Sequence, residues 1–271
     1  MNPTSAEVWE NRELSTGIFR LKLRPYGPAR HFEPGRFFML GMNHGQDPLL
    51  RRPLGGLCVS VNEEGAHLME FLYEVRGRGT ELISRLQPPR VVSWLGPLGE
   101  GWKLDPPPDR LIMIAGGMGV VPLYAAARML ELRNPRPKLE FIFGARKAQG
   151  LVLREELEKM CDRLILCTED GSMGERAQAT ELLKKTPVPE KKSTALILAC
   201  GPRAMLKETV KIARAQKIPC QVSLEARMAC GLGACLTCTI KGAGGENLRV
   251  CKEGPVFNAD QVDWEALDDQ P

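Results

Sequence analysis

Short runs of alternating apolar and polar residues fill the first part of the chain. From Ile18 to Arg24, apolar residues alternate with Arg and Lys residues. A period of two places successive side chains on opposite faces, which predicts a half-buried β-strand. Four further runs predict strands: Phe37 to Met42, Leu57 to Val61, Met69 to Val75 and Val91 to Leu95. Turn signals such as Tyr26-Gly27-Pro28 and Glu33-Pro34-Gly35 separate the runs, so an antiparallel β-barrel is predicted over residues 1–103.

A different pattern follows the proline-rich segment from Asp105 to Asp109, which predicts a stiff linker. Leu111 to Ala115 is continuously apolar, as in a strand buried on both faces. Helices and strands then alternate. The predicted helices are Val120 to Leu132, Arg154 to Met160, about Ala177 to Lys184, and Arg203 to Gln216; the predicted strands are Leu139 to Phe143, Leu164 to Cys167, Ala195 to Cys200 and Gln221 to Leu224. This alternation predicts an α/β domain with a doubly wound parallel sheet over residues 104–222.

Composition narrows the class of protein. The chain has 271 residues, enough for two domains, and 43% of them are hydrophobic. The net charge of +4 comes without a block of Lys and Arg residues, which argues against nucleic-acid binding. No apolar run approaches the roughly 18 residues of a membrane span, and Met1 to Arg12 lack the apolar core of a signal peptide. Nine cysteines without an export signal predict a reducing, cytoplasmic setting.

Three loops follow strands of the predicted parallel sheet, where such sheets bind ligands. They are Ala115 to Pro122, which contains Gly116, Gly117 and Gly119; Thr168 to Ser172; and Cys200-Gly201-Pro202. The first could hold a pyrophosphate, although Pro122 stands where a dinucleotide fingerprint has its third glycine. Each loop taken alone is more often a simple turn.

Two segments of the predicted barrel also suggest anion binding. Arg51-Arg52-Pro53-Leu54 enters a strand, where an arginine can hold a phosphate bidentately. Gly77-Arg78-Gly79-Thr80 opens a short predicted helix, Thr80 to Leu86, and its backbone amides could approach an anion. The plainer alternatives are a solvated basic turn and an ordinary helix cap.

Four cysteines near the C-terminus have the spacing C-x4-C-x2-C-x12-C. They are Cys230, Cys235, Cys238 and Cys251. The first three follow the plant-type [2Fe–2S] ligand spacing, and a more distant fourth thiolate completes the set. Gly231 and Gly233 supply the backbone freedom of a tight loop whose amides turn toward the sulfurs. A structural zinc site usually has two C-x2-C pairs or histidines, and a disulfide pair suits a small secreted domain, so both alternatives fit less well.

Together these motifs resemble the ferredoxin–NADP reductase superfamily and, within it, the family of electron-transfer subunits of NAD-dependent (class B) dihydroorotate dehydrogenase. The resemblance runs from about residue 5 to residue 258 and is most specific over residues 223–235 and 250–257. It rests on an ordered set of segments: Arg52-Pro53, Gly77-Arg78-Gly79-Thr80, Gly96-Pro97-Leu98-Gly99, Gly116 to Leu123, Glu169-Asp170-Gly171-Ser172, Cys200-Gly201-Pro202 and the cysteine motif.

The resemblance implies three cofactors and their binding residues. FAD would bind the barrel through three segments: Arg52, Pro53, Leu54 and Gly55; Leu72, Tyr73 and Glu74; and Gly79 and Thr80. NAD would bind the parallel sheet through Gly116, Gly117, Gly119, Gly201 and Pro202, with Cys200 as the candidate catalytic residue. A [2Fe–2S] cluster would be held by a small C-terminal segment, residues 223–271, through Cys230, Cys235, Cys238 and Cys251.

The resemblance also implies a function. Electrons from the FMN of a dihydroorotate-oxidising catalytic subunit would pass through the [2Fe–2S] cluster and FAD to NAD+ in pyrimidine biosynthesis, in a heterotetramer of two plus two chains. Neither a membrane nor a nucleic acid is expected as a partner. One alternative is the reductase subunit of a related NAD(P)H–ferredoxin or sulfur-reducing complex. A more distant one is a non-enzymatic zinc or redox-sensing module.

Three features of the sequence add detail to these expectations about the flavin, the nucleotide and the partner. Where the family usually has Ser or Thr in the first flavin segment, this chain has Gly55, so a hydroxyl near the flavin ring is absent. The predicted strand Leu139 to Phe143 is followed by Arg146 and Lys147 without an acidic residue, although the resemblance implies NAD. The apolar residues of the cysteine loop, Leu232 among them, predict an interface with a partner.

Overall fold

The computed structural model describes residues 4–26, 32–42, 48–187 and 194–267. Most of the predicted turn Tyr26-Gly27-Pro28 and the last four residues of the acidic tail lie outside these ranges. Six antiparallel strands form a closed barrel in the order β1-β2-β5-β4-β3-β6. The strands are β1 Thr4–Ser15, β2 Ile18–Pro25, β3 Phe37–Met42, β4 Arg52–Val61, β5 His67–Glu74 and β6 Val91–Leu98. The predicted antiparallel barrel is therefore confirmed.

The barrel closes where Ala6 of β1 lies opposite Val92 of β6. Its interior is aromatic: the rings of Phe38 and Trp94 stack with centroids 4.9 Å apart, and Phe71 meets Phe38 edge-on at 5.4 Å. These side chains come from three different strands, so they hold opposite walls of the barrel together. The short helix α1, Arg78–Ser84, follows β5 and begins two residues before the predicted Thr80.

Residues 110–223 form the predicted α/β domain with a parallel sheet. Its elements are β7 Arg110–Gly116, α2 Val120–Glu131, β8 Lys138–Ala145, α3 Arg154–Met160, β9 Arg163–Thr168, β10 Glu175–Arg176, α4 Ala179–Lys185, β11 Ala195–Cys200, α5 Arg203–Gln216 and β12 Cys220–Ser223. The strand order is β10-β9-β8-β7-β11-β12, and one further strand, β15 Val256–Asn258, lies beyond β12. The strands from β7 to β12 run parallel to one another. The order reverses between β7 and β11, which creates a crevice beyond their carboxyl ends.

The cysteine-bearing segment is built onto this sheet. It contains the hairpin strands β13 Thr239–Lys241 and β14 Asn247–Arg249, and then β15 Val256–Asn258. β15 pairs antiparallel with β12, with Phe257 opposite Val222. Trp264 and Leu267 of the tail that follows are buried in the same core. The tail thus anchors the segment, and the division of the chain at residue 223 stays a prediction.

Side chains also connect the barrel to the sheet. The Trp102 indole donates to the carbonyl of Pro122 at 2.8 Å, and so joins the segment that follows β6 to the first turn of α2. The side-chain amide of Gln221 bonds both the N–H and the carbonyl of Lys103, at 3.0 and 2.8 Å. Short 3-10 turns complete the structure at Gly117–Gly119, Ala148–Gly150 and Ala259–Gln261. In the described part of the chain, no helix is both long and apolar enough to cross a bilayer.

Candidate functional site

The cysteine loop turns sharply at two glycines. Gly231 has φ +69° and Gly233 has φ +79°, values that residues with a side chain rarely adopt. A Cβ at Gly231 would lie 2.6 Å from Cγ of Met39, so the loop packs directly on strand β3 of the barrel. The predicted role of both glycines in a tight loop is confirmed.

The four free cysteines of this site lie close enough to influence one another. The thiol of Cys235 interacts with Cys230, and the thiol of Cys251 interacts with both Cys238 and Cys230. Cys235 is exposed and Cys230 half-buried, whereas Cys238 and Cys251 are buried. Cys230 and Cys235, the outer pair, therefore lie toward the surface, and Cys238 and Cys251, the inner pair, lie toward the protein interior.

Backbone amides point at these sulfurs, as the sequence predicted. The N–H of Leu232 donates to Cys230 Sγ at 3.3 Å, and that of Gly233 donates to Cys251 Sγ at 3.1 Å. The N–H of Cys251 donates to Cys238 Sγ at 3.4 Å. Such donors stabilise negative charge on sulfur and are one of the factors that set the potentials of iron–sulfur clusters.

The outer and inner thiols differ in acidity. The hydroxyl of Thr237 donates to Cys235 Sγ at 3.2 Å and, together with other hydrogen bonds, lowers the pKa of the Cys235 thiol to about 6. Burial raises the pKa of the Cys251 thiol to about 12. A buried thiolate needs a compensating positive charge, which a bound metal provides.

The donor set fits a [2Fe–2S] cluster. Three backbone N–H groups, those of Leu232, Gly233 and Cys251, donate to the sulfurs of Cys230, Cys251 and Cys238. Together with Cys235, these three cysteines supply the four thiolates that such a cluster requires.

The glycine-rich turn and the Cys200 loop meet at the crevice between β7 and β11. A Cβ at Gly119 would overlap the carbonyl oxygen of Cys200, and one at Gly116 would lie 2.6 Å from Cδ of Pro202. Cys200 is buried, and burial raises the pKa of its thiol well above the usual range, so the thiol stays protonated. On the neighbouring strand, Ser223 lies beside Cys200, and this proximity partly offsets the rise that burial causes in the pKa of the thiol. Sequence patterns did not indicate Ser223, because only strand register places it there.

The two segments of the barrel that were predicted to bind an anion also come together. The guanidinium of Arg52 lies directly over Gly79, where a Cβ would overlap its Nε atom. The hydroxyl of Thr80 is occupied locally: it accepts from the N–H groups of Arg76 and Gly77 at 3.0 and 3.2 Å. The hydroxyl of Thr80 thus stabilises the turn from the third position of α1, and the alternative of an N-cap at Thr80 is wrong, because the N-cap residue is Gly77. The guanidinium of Arg52 also donates to the carbonyl of Leu50.

The other predicted flavin residues line two faces of the barrel wall. Tyr73 is buried, and its hydroxyl donates to Asn11 at 3.1 Å. Leu54 and Leu72 are buried, Pro53 is exposed, and Glu74 bonds Arg76 at 2.7 Å. A Cβ at Gly55 would lie 3.3 Å from Cγ1 of Val121, so the side of β4 that carries Gly55 faces the start of α2.

The structure places a second loop beside the Arg146–Lys147 segment. The N–H groups of Glu169 and Asp170 donate to the carbonyls of Ala145 and Arg146, at 3.1 and 3.3 Å. The loop after β9 therefore brings two carboxylates to this edge of the sheet, where the sequence of β8 alone predicted no acidic residue. Hydrogen bonds from Ser172 hold the pKa of Asp170 below its usual range, so that carboxylate is charged.

Comparisons with known proteins agree with this geometry. A model described as the iron–sulfur cluster binding domain of dihydroorotate dehydrogenase B matches residues 225–263, and an oxidoreductase NAD-binding domain matches residues 113–211. A solved structure of an NADH-dependent reduced ferredoxin–NADP oxidoreductase has a TM-score of 0.81 at 24% identity, covering 97% of this chain and 91% of that one. A ferredoxin–NADP+ reductase from Neisseria gonorrhoeae has a TM-score of 0.65 at 17% identity, covering 80% and 92%.

Barrel, parallel sheet and cysteine loop thus define an oxidoreductase of the ferredoxin–NADP reductase fold, and two curated relatives narrow the class further. The dihydroorotate dehydrogenase B (NAD(+)) electron transfer subunit from Clostridium acetobutylicum is 35% identical over 254 residues, 94% of each chain. The one from Desulforamulus reducens is 37% identical over 240 residues, 88% of this chain and 89% of that one. The chain belongs to this family of electron-transfer subunits, which confirms the resemblance seen in its sequence.

Proposed function

We propose that this chain passes electrons from the FMN of a dihydroorotate-oxidising partner subunit to NAD+. The observation that carries the proposal is the position of β4. Pro53 lies opposite Met39, which contacts Gly231 of the cysteine loop. Two residues along, Gly55 faces Val121 of the crevice. The predicted flavin segment therefore lies between the cysteine loop and the predicted nucleotide site.

FAD bound at that segment supplies the exchange between two-electron hydride chemistry and one-electron transfer. The protein's part is to bind and orient it. The guanidinium of Arg52 and the amides near Gly79 bind the phosphates, because a planar guanidinium matches phosphate oxygens. Because Gly55 has no side chain, β4 lies close to Val121, and only backbone groups of β4 would face the flavin ring at this position.

NAD binds over the glycine-rich turn, in our proposal. The backbone of Gly116, Gly117 and Gly119 approaches the pyrophosphate closely because no side chain intervenes. Gly201 and Pro202 form the opposite wall of the crevice. Cys200 contacts the nicotinamide as a neutral thiol, and its burial excludes water from that position.

The cluster is held by Cys230, Cys235, Cys238 and Cys251 in this proposal, with the outer pair toward the partner. Leu232 and Leu236, on the same loop, are 48% and 61% exposed. Large apolar side chains exposed beside a redox centre are suited to a protein interface. We propose that the partner docks on these two leucines, in a heterotetramer of two such chains and two catalytic chains.

The cysteines also support a cytoplasmic location, which we propose. All nine are unpaired in the structure, including the five outside the cluster loop. Free thiols persist where the environment is reducing.

Co-purification with an FMN-containing catalytic chain tests the proposal. The two chains should elute as one complex, and Leu232→Glu should weaken assembly at least tenfold while NADH-to-dye activity stays nearly intact. Leu132→Glu is the matched control, because Leu132 is 84% exposed at the end of α2, away from the loop. If the chains stay apart at micromolar concentrations and Leu232→Glu changes nothing, the proposed partnership is wrong.

A further inference from the structure

Arg249 joins the two parts of the cysteine site. It is the last residue of β14 and lies two positions before Cys251. Its Nη1 donates to the carbonyl of Gly233, in the middle of the loop, at 2.9 Å. Its Nε donates to a carboxylate oxygen of Glu253 at 3.1 Å, and its Nη2 bonds the other oxygen. One guanidinium thus connects the loop to the turn that carries Cys251.

The main chain of Arg249 belongs to the same unit. Its N–H donates to Glu253 Oε2 at 2.7 Å, and its carbonyl accepts from the N–H groups of Lys252 and Glu253 at 3.0 and 2.9 Å. Glu253 therefore orients the guanidinium and fixes the backbone from which it extends. A planar donor held by two carboxylate oxygens has little freedom to rotate.

Gly233 is held from two directions. Its carbonyl accepts from Arg249, and its N–H donates to Cys251 Sγ at 3.1 Å in a buried environment. The aliphatic stem of Lys252 crosses the remaining side, because a Cβ at Gly233 would lie 2.7 Å from Cδ of Lys252. A small rotation of the loop at Gly233 would carry the N–H away from the sulfur.

We propose that Arg249 is a positioning residue that sets the reduction potential of the cluster. It holds Gly233 so that the N–H of Gly233 donates to Cys251 Sγ. A donor to sulfur stabilises the additional negative charge of the reduced cluster and raises its potential. The inference rests on the proposed function, since it requires a [2Fe–2S] cluster on the four cysteines.

Two explanations of the role of Arg249, positioning of Gly233 and a direct effect of its positive charge, predict opposite shifts of the reduction potential when Glu253 is removed. If only charge mattered, removal of the Glu253 carboxylate would make the site more positive and raise the potential. If Arg249 acts by holding Gly233, loss of Glu253 frees the guanidinium, weakens the bond to sulfur and lowers the potential. The direction of the shift in Glu253→Ala therefore separates the two.

The experiment is an EPR-monitored redox titration of the anaerobically purified full chain and its variants. Arg249→Gln should shift the reduction equilibrium about tenfold toward the oxidised cluster, or about 59 mV for one electron. Arg249→Lys should recover part of the shift, because a lysine can reach one acceptor but not both. Glu253→Ala should also lower the potential. Lys252→Gln is the charge control, since it removes an adjacent cation without breaking the Arg249 bonds, and its shift should be smaller.

Three results would overturn the inference: a higher potential in Glu253→Ala, an unchanged potential in Arg249→Gln, or equal shifts in Arg249→Gln and Lys252→Gln. EPR detects only assembled clusters, so partial loading does not obscure the potential. If Arg249→Gln assembles no cluster, Arg249→Lys and Glu253→Ala decide the question. Absence of a [2Fe–2S] signal from the unchanged protein would contradict the proposed function, whereas a normal signal with an unchanged potential in Arg249→Gln contradicts this inference alone.

Discussion

The cysteine loop and the crevice between β7 and β11 are built in opposite ways. All four thiols of the loop come from residues 230–251, and an exposed edge at Cys235 faces outward. The crevice joins Gly119 to Cys200, which are 81 positions apart in the sequence, and Cys200 is buried. Local spacing specifies the first site, whereas strand order specifies the second. Substitutions in the loop should therefore act through ligand chemistry, and those in the crevice through steric fit.

The largest expected effect is loss of the cluster from the loop. Cys235→Ser should lose most of the iron, because a neutral hydroxyl replaces a thiolate ligand. The unchanged chain should be brown and hold about two irons and two labile sulfides. Iron and sulfide analysis after anaerobic purification measures this. Cys161→Ser, outside the loop, is the control and should retain the cluster. Stoichiometric zinc without iron in freshly made protein would contradict the prediction.

The next effect concerns the difference in thiol reactivity between the exposed Cys235 and the buried Cys251. In the cluster-free chain, alkylation of Cys235 by iodoacetamide should rise with pH and level off above its pKa of about 6. The thiolate reacts, and a lowered pKa means that this form is already dominant at pH 7. Cys251, with a pKa raised to about 12, should react at least about 100-fold more slowly at that pH. Peptide mapping by mass spectrometry compares the rates, and equal labelling would argue against the outer and inner distinction.

In the crevice, the expected effect is steric and smaller. Gly119→Ala places a methyl group against the carbonyl oxygen of Cys200, which is backbone and cannot move aside. Overpacking costs about 1–3 kcal/mol, so NADH affinity should fall roughly 10- to 100-fold while the iron content stays normal. Gly55→Ala is the graded control, because its methyl would meet only the Val121 side chain at 3.3 Å. Titration with NADH measures both, and equal losses would show that the backbone contact is unimportant.

The smallest effect concerns the choice of nucleotide. We expect kcat/KM in a dye-reduction assay to favour NADH over NADPH, since the charged Asp170 repels a 2′-phosphate. Asp170→Asn should reduce that preference roughly two- to fivefold, as exposed charges act weakly. Glu175→Gln, on β10 beyond this loop, serves as the matched control. A preference for NADPH in the unchanged protein would show that Arg146 and Lys147 decide the specificity instead.

Much of the barrel and the sheet could be predicted from periodicity alone. The predicted helices over Arg154–Met160 and Arg203–Gln216 match the structure at both ends. The second has a long buried stripe, whereas the first buries only Leu157 and Met160. Strand β1 was not predicted. Of its residues, only Ala6 and Val8 are buried, and its other face carries ion pairs such as Glu7 with Arg24. A strand that packs mainly through charged cross-strand pairs leaves a weak hydrophobic pattern.

The candidate site was predictable where it is local. The spacing of the cysteines and the two loop glycines indicated the cluster site directly. Ser223 and Arg249 were missed, because each reaches its partner through the pairing or neighbouring position of strands. The loop that contains Asp170 was named, but its position beside Arg146 was not predicted. β15 was missed for a related reason: three residues are too few for a periodic pattern, and its partner β12 lies 33 positions earlier.

The pairing of β12 with β15 has a consequence for how the chain is made. Residues 220–223 leave the ribosome before the four cysteines, and residues 256–258 leave after them. The nascent cysteine loop is therefore tethered at one end only until the later strand emerges and pairs. Iron and sulfide that arrive during synthesis meet an open loop, and those that arrive afterwards meet a closed one. The order of translation thus separates an early, accessible stage of cluster loading from a late, constrained one.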